Sequence, residues 1–365
     1  MAKATNNNLC KLKNVLVVRF SAIGDVAMTV PALYGACNAH PDVRFIFVTR
    51  KSMASIFLNA PANLVVHGVD LKGEYHGLTG MHRLFKEIRR DFDIDGVVDL
   101  QDVLRTKYIR LLAHLKGLKV SHIHKGLMGK HALTRRNNKV MLQLETSRSR
   151  YRATFARLGL APDDSFVGLF GNGKASPDSF KAISQPRRPG EHWVGIAPFA
   201  KHQGKIYPIH LMEEVVAKLS SLQGLRIFLF GGGPQERDVL ADWQQRFNGV
   251  TSLADGHHGF ATELALLSNL DCMVSMDSAN MHLASLVDIP VVSIWGATHP
   301  YCGFQGWRQA EDNIIQLSLT CRPCSVFGDR PCYRGDYLCL NGIKPAVVTD
   351  KILSILHLSP DPAKQ

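Results

Sequence analysis

The sequence predicts an α/β protein with two parallel-sheet domains, and three observations support this prediction. Apolar runs of strand length recur along the chain, each followed by a segment long enough for a crossover helix. This succession lapses at residues 161–192 and resumes at Trp193. At 365 residues the chain is also too long for one compact core. We therefore expect two facing Rossmann-like domains with a cleft between them, at 1–160 and 193–345, with a linker at 161–192 and a C-terminal helix and tail at 346–365.

The predicted strands are uninterrupted apolar runs, as expected of parallel strands that are buried on both faces. They span residues 15–20, 44–48, 64–66 and 96–100 in the first half, and 193–197, 226–230, 272–276 and 290–296 in the second. A crossover helix is predicted where apolar residues recur at helical spacing, at Leu211, Val215, Leu219 and Leu222. Irregular structure is predicted for the linker, where prolines mix with polar residues and glycine, at Pro162, Pro177, Pro186 and Pro189.

The composition is that of an ordinary globular protein, with 45% hydrophobic and 20% charged residues. No apolar run approaches the roughly 20 residues that a bilayer-spanning helix needs. The first fourteen residues are largely polar, and Arg19 interrupts the apolar run at 15–18, which is too short for the core of a signal peptide. We therefore expect a cytoplasmic protein.

Positive charge is concentrated in one segment. The chain has 43 Lys and Arg against 31 Asp and Glu, a net charge of +12, and residues 101–160 alone hold 14 basic and two acidic residues. Self-repulsion in so one-sided a segment favours an anionic partner over solvated helix faces. Nucleic acid, an anionic membrane surface and a phosphorylated substrate are the candidates. Few aromatic residues interleave the cations, so a stacking platform for single-stranded nucleic acid is the weakest of them.

The strongest candidate site begins at Asp277, between a predicted strand and a predicted helix. The small residues Ser278 and Ala279 would let backbone amides at the helix start approach a pyrophosphate closely. His282 lies one turn further into the predicted helix. From there we expect it to reach a phosphate or ribose oxygen. The alternative is that Asp277 is a plain N-cap and His282 a helix-face histidine.

Three weaker signals lie in other loops that follow predicted strands. Gly231 and Gly232 permit a tight turn and close backbone approach to a ligand, although the G-x-G-x-x-G fingerprint is absent. Lys205 would neutralise a diphosphate as a point charge. Asp25, after the first strand, would serve as a general base. Taken singly, these residues are equally typical of a turn, a solvated lysine and a helix cap.

Taken in order, these residues resemble the motifs of glycosyltransferase family 9, the lipopolysaccharide heptosyltransferases. The matching stretches are Ile23-Gly24-Asp25 with Pro31-Ala32-Leu33, Gly195-Ile196-Ala197-Pro198 with Lys205-Ile206-Tyr207-Pro208, Phe230-Gly231-Gly232, and Asp277-Ser278-Ala279 with His282. Four motifs in register over residues 13–345 are more specific than any one of them.

The resemblance implies a GT-B fold and an inverting transfer of heptose from ADP-heptose onto a lipopolysaccharide core or lipid A-type acceptor, with no metal cofactor required. It implies that Asp25 is the catalytic base. Donor contacts are implied for Lys205, Gly231, Gly232, Asp277, Ser278, Ala279 and His282.

The acceptor implied by the resemblance is anionic, and the basic segment falls in the acceptor half. We expect Arg105, Lys107, Arg135 and Arg136 to meet this acceptor. Peripheral contact with the inner face of the cytoplasmic membrane is expected as well, and nucleic acid is not.

Three departures from the family pattern leave the donor sugar and its base open. Tyr207 stands where the family usually has Trp, Ala279 where Gly is common, and Pro198-Phe199-Ala200 where hydroxyl residues are typical near the phosphates. A transferase of the same family that uses another sugar therefore stays an alternative.

The eight cysteines form two groups. Free thiols account for the scattered group, Cys10, Cys37, Cys272 and Cys302. The second group lies within nineteen residues and comprises Cys321, Cys324, Cys332 and Cys339. Its second pair lacks the short spacing of a zinc ribbon. Reduced buried thiols are the favoured interpretation, a structural zinc site stays open, and disulfides are least expected in the cytosol.

Two other functions compete with this one. A sugar-nucleotide epimerase of the same architecture would need acid–base residues around the donor sugar and no separate acceptor site, against which the basic segment argues. A non-enzymatic protein that binds nucleic acid or membrane through that segment would leave Asp25 and the turn at Asp277 unexplained.

Overall fold

A computed structural model describes residues 12–359, and the chain divides into two compact units. Within the described range, the first unit contains residues 12–22, 32–124 and 150–165, and the second contains residues 23–31, 125–149 and 166–359. Two segments from the first half of the sequence, 23–31 and 125–149, thus belong to the second unit. Cys10 and residues 360–365 of the predicted tail lie outside the described residues.

The strands and helices alternate along the chain. The strands are β1 (Asn14–Val18), β2 (Arg44–Arg50), β3 (Leu64–Val69), β4 (Gly96–Asp99), β5 (Lys119–His122), β6 (His192–Ala197), β7 (Leu225–Leu229), β8 (Val250–Ser252), β9 (Cys272–Met276), β10 (Val291–Trp295) and β11 (Ile314–Gln316). The α-helices are α1 (Ile23–Ala27), α2 (Val30–Ala39), α3 (Gly77–Phe92), α4 (Leu104–Leu115), α5 (Leu127–Thr134), α6 (Ser147–Ala156), α7 (Ile209–Ser220), α8 (Pro234–Arg246), α9 (Gly259–Leu267), α10 (Ala279–Leu286), α11 (Leu338–Asn341) and α12 (Pro345–Leu356).

The first unit is built on a five-stranded parallel sheet with the order β3-β2-β1-β4-β5. The central strand β1 is covered on both sides: Val17 lies in register with Phe47 of β2 and Val98 of β4, and all three side chains are buried. Because both faces of a parallel sheet are covered by its crossover helices, its strands are continuous apolar runs rather than alternating ones. The runs that predicted strands in this half are therefore confirmed.

The second unit is built on a six-stranded parallel sheet with the order β11-β10-β9-β6-β7-β8. Its helix α7 buries Met212, Val215, Val216 and Leu219, which are spaced three and four residues apart on one face. The predicted helix is confirmed: Leu211 packs partly buried against the core and Met212 is buried beside it, while α7 ends before Leu222.

The segment predicted as a linker is largely irregular in structure. Residues 161–191, all of which the structure describes, form a single short regular element, the 3-10 helix Pro177–Phe180. Prolines and glycines here interrupt both strand pairing and helix continuation.

Strand order determines where each unit has a crevice. In the first sheet the chain runs from β1 toward β3 and then restarts on the other side of β1 with β4, and in the second it runs from β6 toward β8 and restarts beside β6 with β9. Ligands of open parallel sheets bind at such switch points, outside the carboxyl ends of the two strands. The second unit therefore has its crevice where β6 and β9 end, and the first where β1 and β4 end. The predicted α/β class is confirmed for both units.

Within residues 12–359, no helix combines the length and apolarity needed to cross a bilayer.

Candidate active site

A buried ion pair marks the crevice of the second unit. Lys205 ends the 3-10 helix Gln203–Lys205 in the loop after β6, and Asp277 directly follows β9. The Lys205 Nζ lies 2.9 Å from Asp277 Oδ2, with only 15% and 3% of the two side chains exposed. Both predicted donor-binding residues therefore meet at the switch point, as a pair with no net charge.

The start of α10 lies beside this pair. Ser278 is the N-cap residue, in extended conformation, but its side chain makes no capping hydrogen bond; its Oγ lies 3.1 Å from Ser275 Oγ instead. Ser278, Ala279 and Asn280 are partly exposed. The first amides of α10 are thus accessible and not capped by a side chain, which suits an anion. The alternative interpretation that Asp277 is a plain N-cap is wrong.

His282 lies one turn inside α10 and is buried. Burial lowers its pKa to about 4, the negative charges of Asp277 and Asp25 raise it, and the positive charge of Lys205 lowers it further. The imidazole is therefore uncharged at neutral pH and offers one N–H donor and one nitrogen acceptor.

A glycine brings Asp25 to the same place. Helix α1 packs against α10. A Cβ added to Gly24 would lie 2.9 Å from His282 Cδ2 and 3.4 Å from the Cα of Ala279, so only glycine permits this approach. Asp25, next in the chain, is in the first turn of α1, partly exposed, and close enough to act electrostatically on His282. The predicted base and the predicted donor turn therefore lie together within the second unit.

The glycine turn after β7 is used differently from what we expected. A Cβ on Gly231 would lie 2.8 Å from Leu240 Cδ1, so the glycine is needed for packing. The amides of Gly232 and Gly233 donate to Glu236 Oε2, at 2.8 and 3.3 Å. A carboxylate already occupies these donors, so this turn is suited to polar hydroxyl groups rather than to a phosphate. Sequence reasoning did not single out Glu236; a Glu three residues into the helix after a glycine turn was the available signal.

The four predicted acceptor cations fall in different units. Arg105 and Lys107 lie on α4 of the first unit, whereas Arg135 and Arg136 follow α5 in the second. The Arg136 guanidinium stacks over the Tyr333 ring, 4.6 Å from its centroid. The structure does not bring the four together in one unit.

The first unit has a polar cluster at its own switch point that the sequence analysis missed. Gln101 lies two residues beyond β4, and its side-chain Nε2 donates to Ser21 Oγ at 2.9 Å. The backbone N–H of Gln101 donates to Asp99 Oδ1 at 2.8 Å. Arg110 pairs with Asp99 at 3.4 Å and with Asp102 at 2.9 Å. The available signal was an Asp-x-Gln sequence where a buried strand ends.

The clustered cysteines line one narrow cavity: Cys321, Cys324, Cys332 and Cys339. All seven cysteines that the structure describes are free thiols. Burial raises the pKa of Cys324, and that of Cys339 to about 11, so these two are protonated at neutral pH. In residues 12–359, no three or more His, Cys, Asp or Glu side chains are arranged to hold a metal ion, and zinc at the cysteines is only the alternative to the favoured reduced thiols.

Comparison with known proteins places the chain in a family. The model of glycosyltransferase family 9 (heptosyltransferase) matches residues 81–332, more than half of the chain. The chain is 25% identical over 323 residues to lipopolysaccharide heptosyltransferase 1 of Pseudomonas aeruginosa, covering 85% of each chain. It is 24% identical over 330 residues to lipopolysaccharide heptosyltransferase 1 of Escherichia coli K12, covering 83% of this chain and 96% of the relative.

Solved structures agree on the fold. A family 9 glycosyltransferase from Veillonella parvula superposes with a TM-score of 0.72 at 16% identity, covering 94% of this chain and 97% of the other. E. coli heptosyltransferase WaaC with ADP superposes with a TM-score of 0.62 at 19% identity, covering 94% and 99%. The predicted GT-B fold class is thereby confirmed, and the chain belongs to glycosyltransferase family 9, the heptosyltransferase family.

Proposed function

We propose that this enzyme transfers heptose from ADP-heptose to an anionic lipopolysaccharide-core acceptor with inversion at the anomeric carbon. The observation that carries the proposal is the Lys205–Asp277 pair beside the accessible start of α10, where β6 and β9 end. The curated relatives are named for lipopolysaccharide heptose transfer, and one of the similar structures was solved with ADP. These names support the choice of donor and acceptor.

The donor diphosphate is held by a cation and by backbone amides. An ammonium group has three N–H donors, so Lys205 can keep its contact with Asp277 Oδ2 and still donate to a phosphate oxygen. Because the pair itself has no net charge, the amides and dipole at the start of α10 add to the attraction that the Lys205 hydrogen bond provides. Glu236 and the glycine turn offer the acceptor oxygens that a ribose needs.

The base is Asp25, and the uncharged state of His282 matters for it. A protonated imidazole would place a positive charge near Asp25. Because burial keeps His282 uncharged, Asp25 faces a neutral ring at pH 7. His282 is then left to hydrogen-bond the donor or to orient the carboxylate.

The reaction follows as one displacement. Asp25 takes the proton from the acceptor hydroxyl while that oxygen bonds to the anomeric carbon. The bond from that carbon to the phosphate oxygen breaks on the opposite face, so the configuration inverts and ADP leaves. Lys205 and the α10 amides stabilise the charge that develops on the leaving phosphate, worth several kcal/mol in comparable sites. With these groups in place, the proposed mechanism requires no divalent metal.

The acceptor and the membrane account for the basic segment. Arg105, Lys107, Arg135 and Arg136 are assigned to the anionic acceptor. Helix α4 also has an exposed apolar stripe with cations beside it and no acidic residue. A face of this kind lies in the headgroup region of an anionic bilayer. We therefore propose a cytoplasmic enzyme that docks on the inner face of the membrane through α4.

The first prediction concerns the base. Asp25→Asn should lower kcat by about 10²–10⁴-fold, the usual contribution of a general base, while ADP affinity is unchanged. Transfer is measured with ADP-heptose and a deacylated core acceptor. Turnover near the wild-type rate with donor bound would contradict the assignment.

A parallel experiment tests the two competing functions. The protein is incubated with ADP-, UDP-, GDP- and CMP-sugars without acceptor. An epimerised product would identify an epimerase, and binding of none of these sugars would favour a non-enzymatic protein.

The second prediction concerns the phosphate contact. Lys205→Ala should weaken ADP binding about 10–100-fold, since a hydrogen bond to a charged group contributes about 1.5–3 kcal/mol. The matched control is Lys201→Ala, an exposed lysine four residues earlier in the same loop, which should bind ADP normally. Because Lys205→Ala also leaves Asp277 buried beside no cation, Lys205→Met is paired with Asp277→Asn to restore neutrality. Calorimetry that finds ADP affinity unaltered in both Lys205 variants would disprove the role.

The third prediction is a pH dependence of stability. An unfolded histidine titrates near 6.5 and folded His282 near 4, so the unfolded chain binds the proton first. The contribution of His282 to the free energy of unfolding is therefore fully present above pH 6.5. As the pH falls toward 4, the free energy of unfolding decreases by roughly 3 kcal/mol. His282→Asn should remove this part of the slope in urea unfolding between pH 4.5 and 7.5. His131→Asn, at an exposed histidine, is the control. Equal slopes of the free energy of unfolding against pH in wild type and His282→Asn would refute the prediction.

The fourth prediction concerns membrane docking. Leu111 and Leu115 on α4 are 53% and 72% exposed. Replacing both with Gln should reduce binding to phosphatidylglycerol-containing vesicles at least tenfold, because each buried leucine contributes about 1.5–3 kcal/mol. Val347→Gln on α12, 50% exposed, is the control. Cosedimentation that is indifferent to the leucines, or equal on purely zwitterionic vesicles, would argue against this surface.

A further inference from the structure

The proposed function leaves one motif of the sequence unused, the cysteine-rich segment (residues 321–339). Its first part is joined by backbone hydrogen bonds to the loop that carries Lys205. The amides of Cys324 and Ser325 both donate to the Ala297 carbonyl, at 3.0 and 3.3 Å, and the Ala297 amide donates to the Gly204 carbonyl at 2.8 Å. Ala297 therefore links the cysteine-rich segment to the residue before Lys205.

Two glycines make the contact close. A Cβ on Gly204 would lie 2.9 Å from both the Ala297 Cβ and the Gly328 carbonyl oxygen. A Cβ on Gly328 would lie 2.5 Å from Lys205 Cγ and 3.1 Å from Lys205 Cδ. The aliphatic stem of Lys205 thus lies directly on the backbone of Gly328, with no space for a side chain between them.

The turn that presents Gly328 is held internally. Ser325 is buried, and its Oγ accepts hydrogen bonds from the amides of Phe327 and Gly328, at 3.2 and 2.9 Å, while donating to Asp329 Oδ1. Gly328 has φ of +73°, in the left-handed region that favours glycine. Its position against Lys205 is therefore fixed by local hydrogen bonds rather than left to a mobile loop.

Lys205 is consequently held at two points. Asp277 Oδ2 contacts the ammonium group, and Gly328 supports the stem. A free lysine side chain samples many rotamers, and ordering it on ligand binding costs conformational entropy. Because the stem of Lys205 is already confined before the ligand binds, little further conformational entropy is lost on binding. This is the benefit of preorganisation.

We propose that the 325–328 turn of the cysteine-rich segment positions Lys205 for the leaving phosphate, with Gly328 and Ser325 as positioning residues. This inference rests on the proposed role of Lys205 in donor binding. It assigns the segment a part in catalysis that does not depend on whether its cysteines bind a metal.

The test compares two glycines of the same segment. Gly328 and Gly335 have φ of +73° and +79°, so alanine introduces similar backbone strain at both, but a Cβ on Gly335 meets nothing within 4 Å. Gly328→Ala should weaken ADP binding about tenfold or more and lower kcat/KM by at least as much, with Gly335→Ala near wild type. Equal effects of the two substitutions would overturn the proposal, because strain alone would explain them.

A double-mutant cycle separates positioning from general destabilisation. In a Lys205→Ala background the stem is gone, so adding Gly328→Ala should change ADP affinity no further. An additive loss in the double variant would overturn the proposal. If Gly328→Ala fails to fold, Ser325→Ala tests the same turn. We expect Ser325→Ala to lose ADP affinity several-fold in the wild-type background and to lose none in the Lys205→Ala background. Unchanged affinity in the wild-type background would count against the proposal.

The same cycle separates this inference from the proposed function. If Lys205→Ala binds ADP like wild type, the donor role of Lys205 fails. Thermal unfolding still tests the contact between Gly328 and the Lys205 stem. The Gly328→Ala variant should be less stable than the Gly335→Ala variant. In a Lys205→Ala background, the two alanine variants should be equally stable. Persistence of the difference in that background would show that Gly328 does not support the lysine.

Discussion

A buried ion pair, Lys205 with Asp277, is the interaction on which the proposed chemistry of the second unit depends. Removing two charges from water is costly, and such a pair contributes little net stability compared with apolar residues of similar size. Its presence where β6 and β9 end is therefore better explained by use than by stability. The elements around it supply the conditions for that use: an accessible helix start, a glycine that admits α1, and a turn that supports the lysine stem.

Burial also sets the charge state of the histidine at this site. Asp277 and Lys205 neutralise one another within 2.9 Å, whereas Asp25 faces a histidine whose charge burial suppresses. Burial of His282 thus leaves no second positive charge beside the Lys205–Asp277 pair at neutral pH.

Much of the fold was predictable because its signals are local. Parallel strands that are buried on both faces are apolar throughout, so runs such as those at Val15 and Trp193 predicted strands correctly. The helix after β6 was predicted, but the buried Met212 beside the partly buried Leu211 was not, since both are apolar and only packing distinguishes them. The site residues were grouped by motif order; that Asp277 pairs with Lys205 rather than capping α10 depends on a contact 72 residues apart in sequence, which no local pattern contains.

Other features were beyond prediction for the same reason. Glu236 occupying the glycine-turn amides, and Gly328 supporting Lys205, are properties of side-chain direction and backbone proximity. The basic segment looked continuous in sequence, yet residues 125–149 pack with the second unit and the flanking residues with the first. Charge counts measure composition along the chain and carry no information about which sheet a segment joins.

The membership of α1 in the second unit has a consequence for how the protein is made. Domains generally fold during synthesis in order of emergence, at about 5–20 residues per second. The β1 strand and its neighbours can form a sheet early, but the segment at 23–31 packs with residues that leave the ribosome some 250 residues later. For an interval on the order of tens of seconds, the segment that bears Asp25 has therefore been synthesised, but α10, the helix against which it packs, has not. The proposed base and the proposed donor site therefore come together only late in folding.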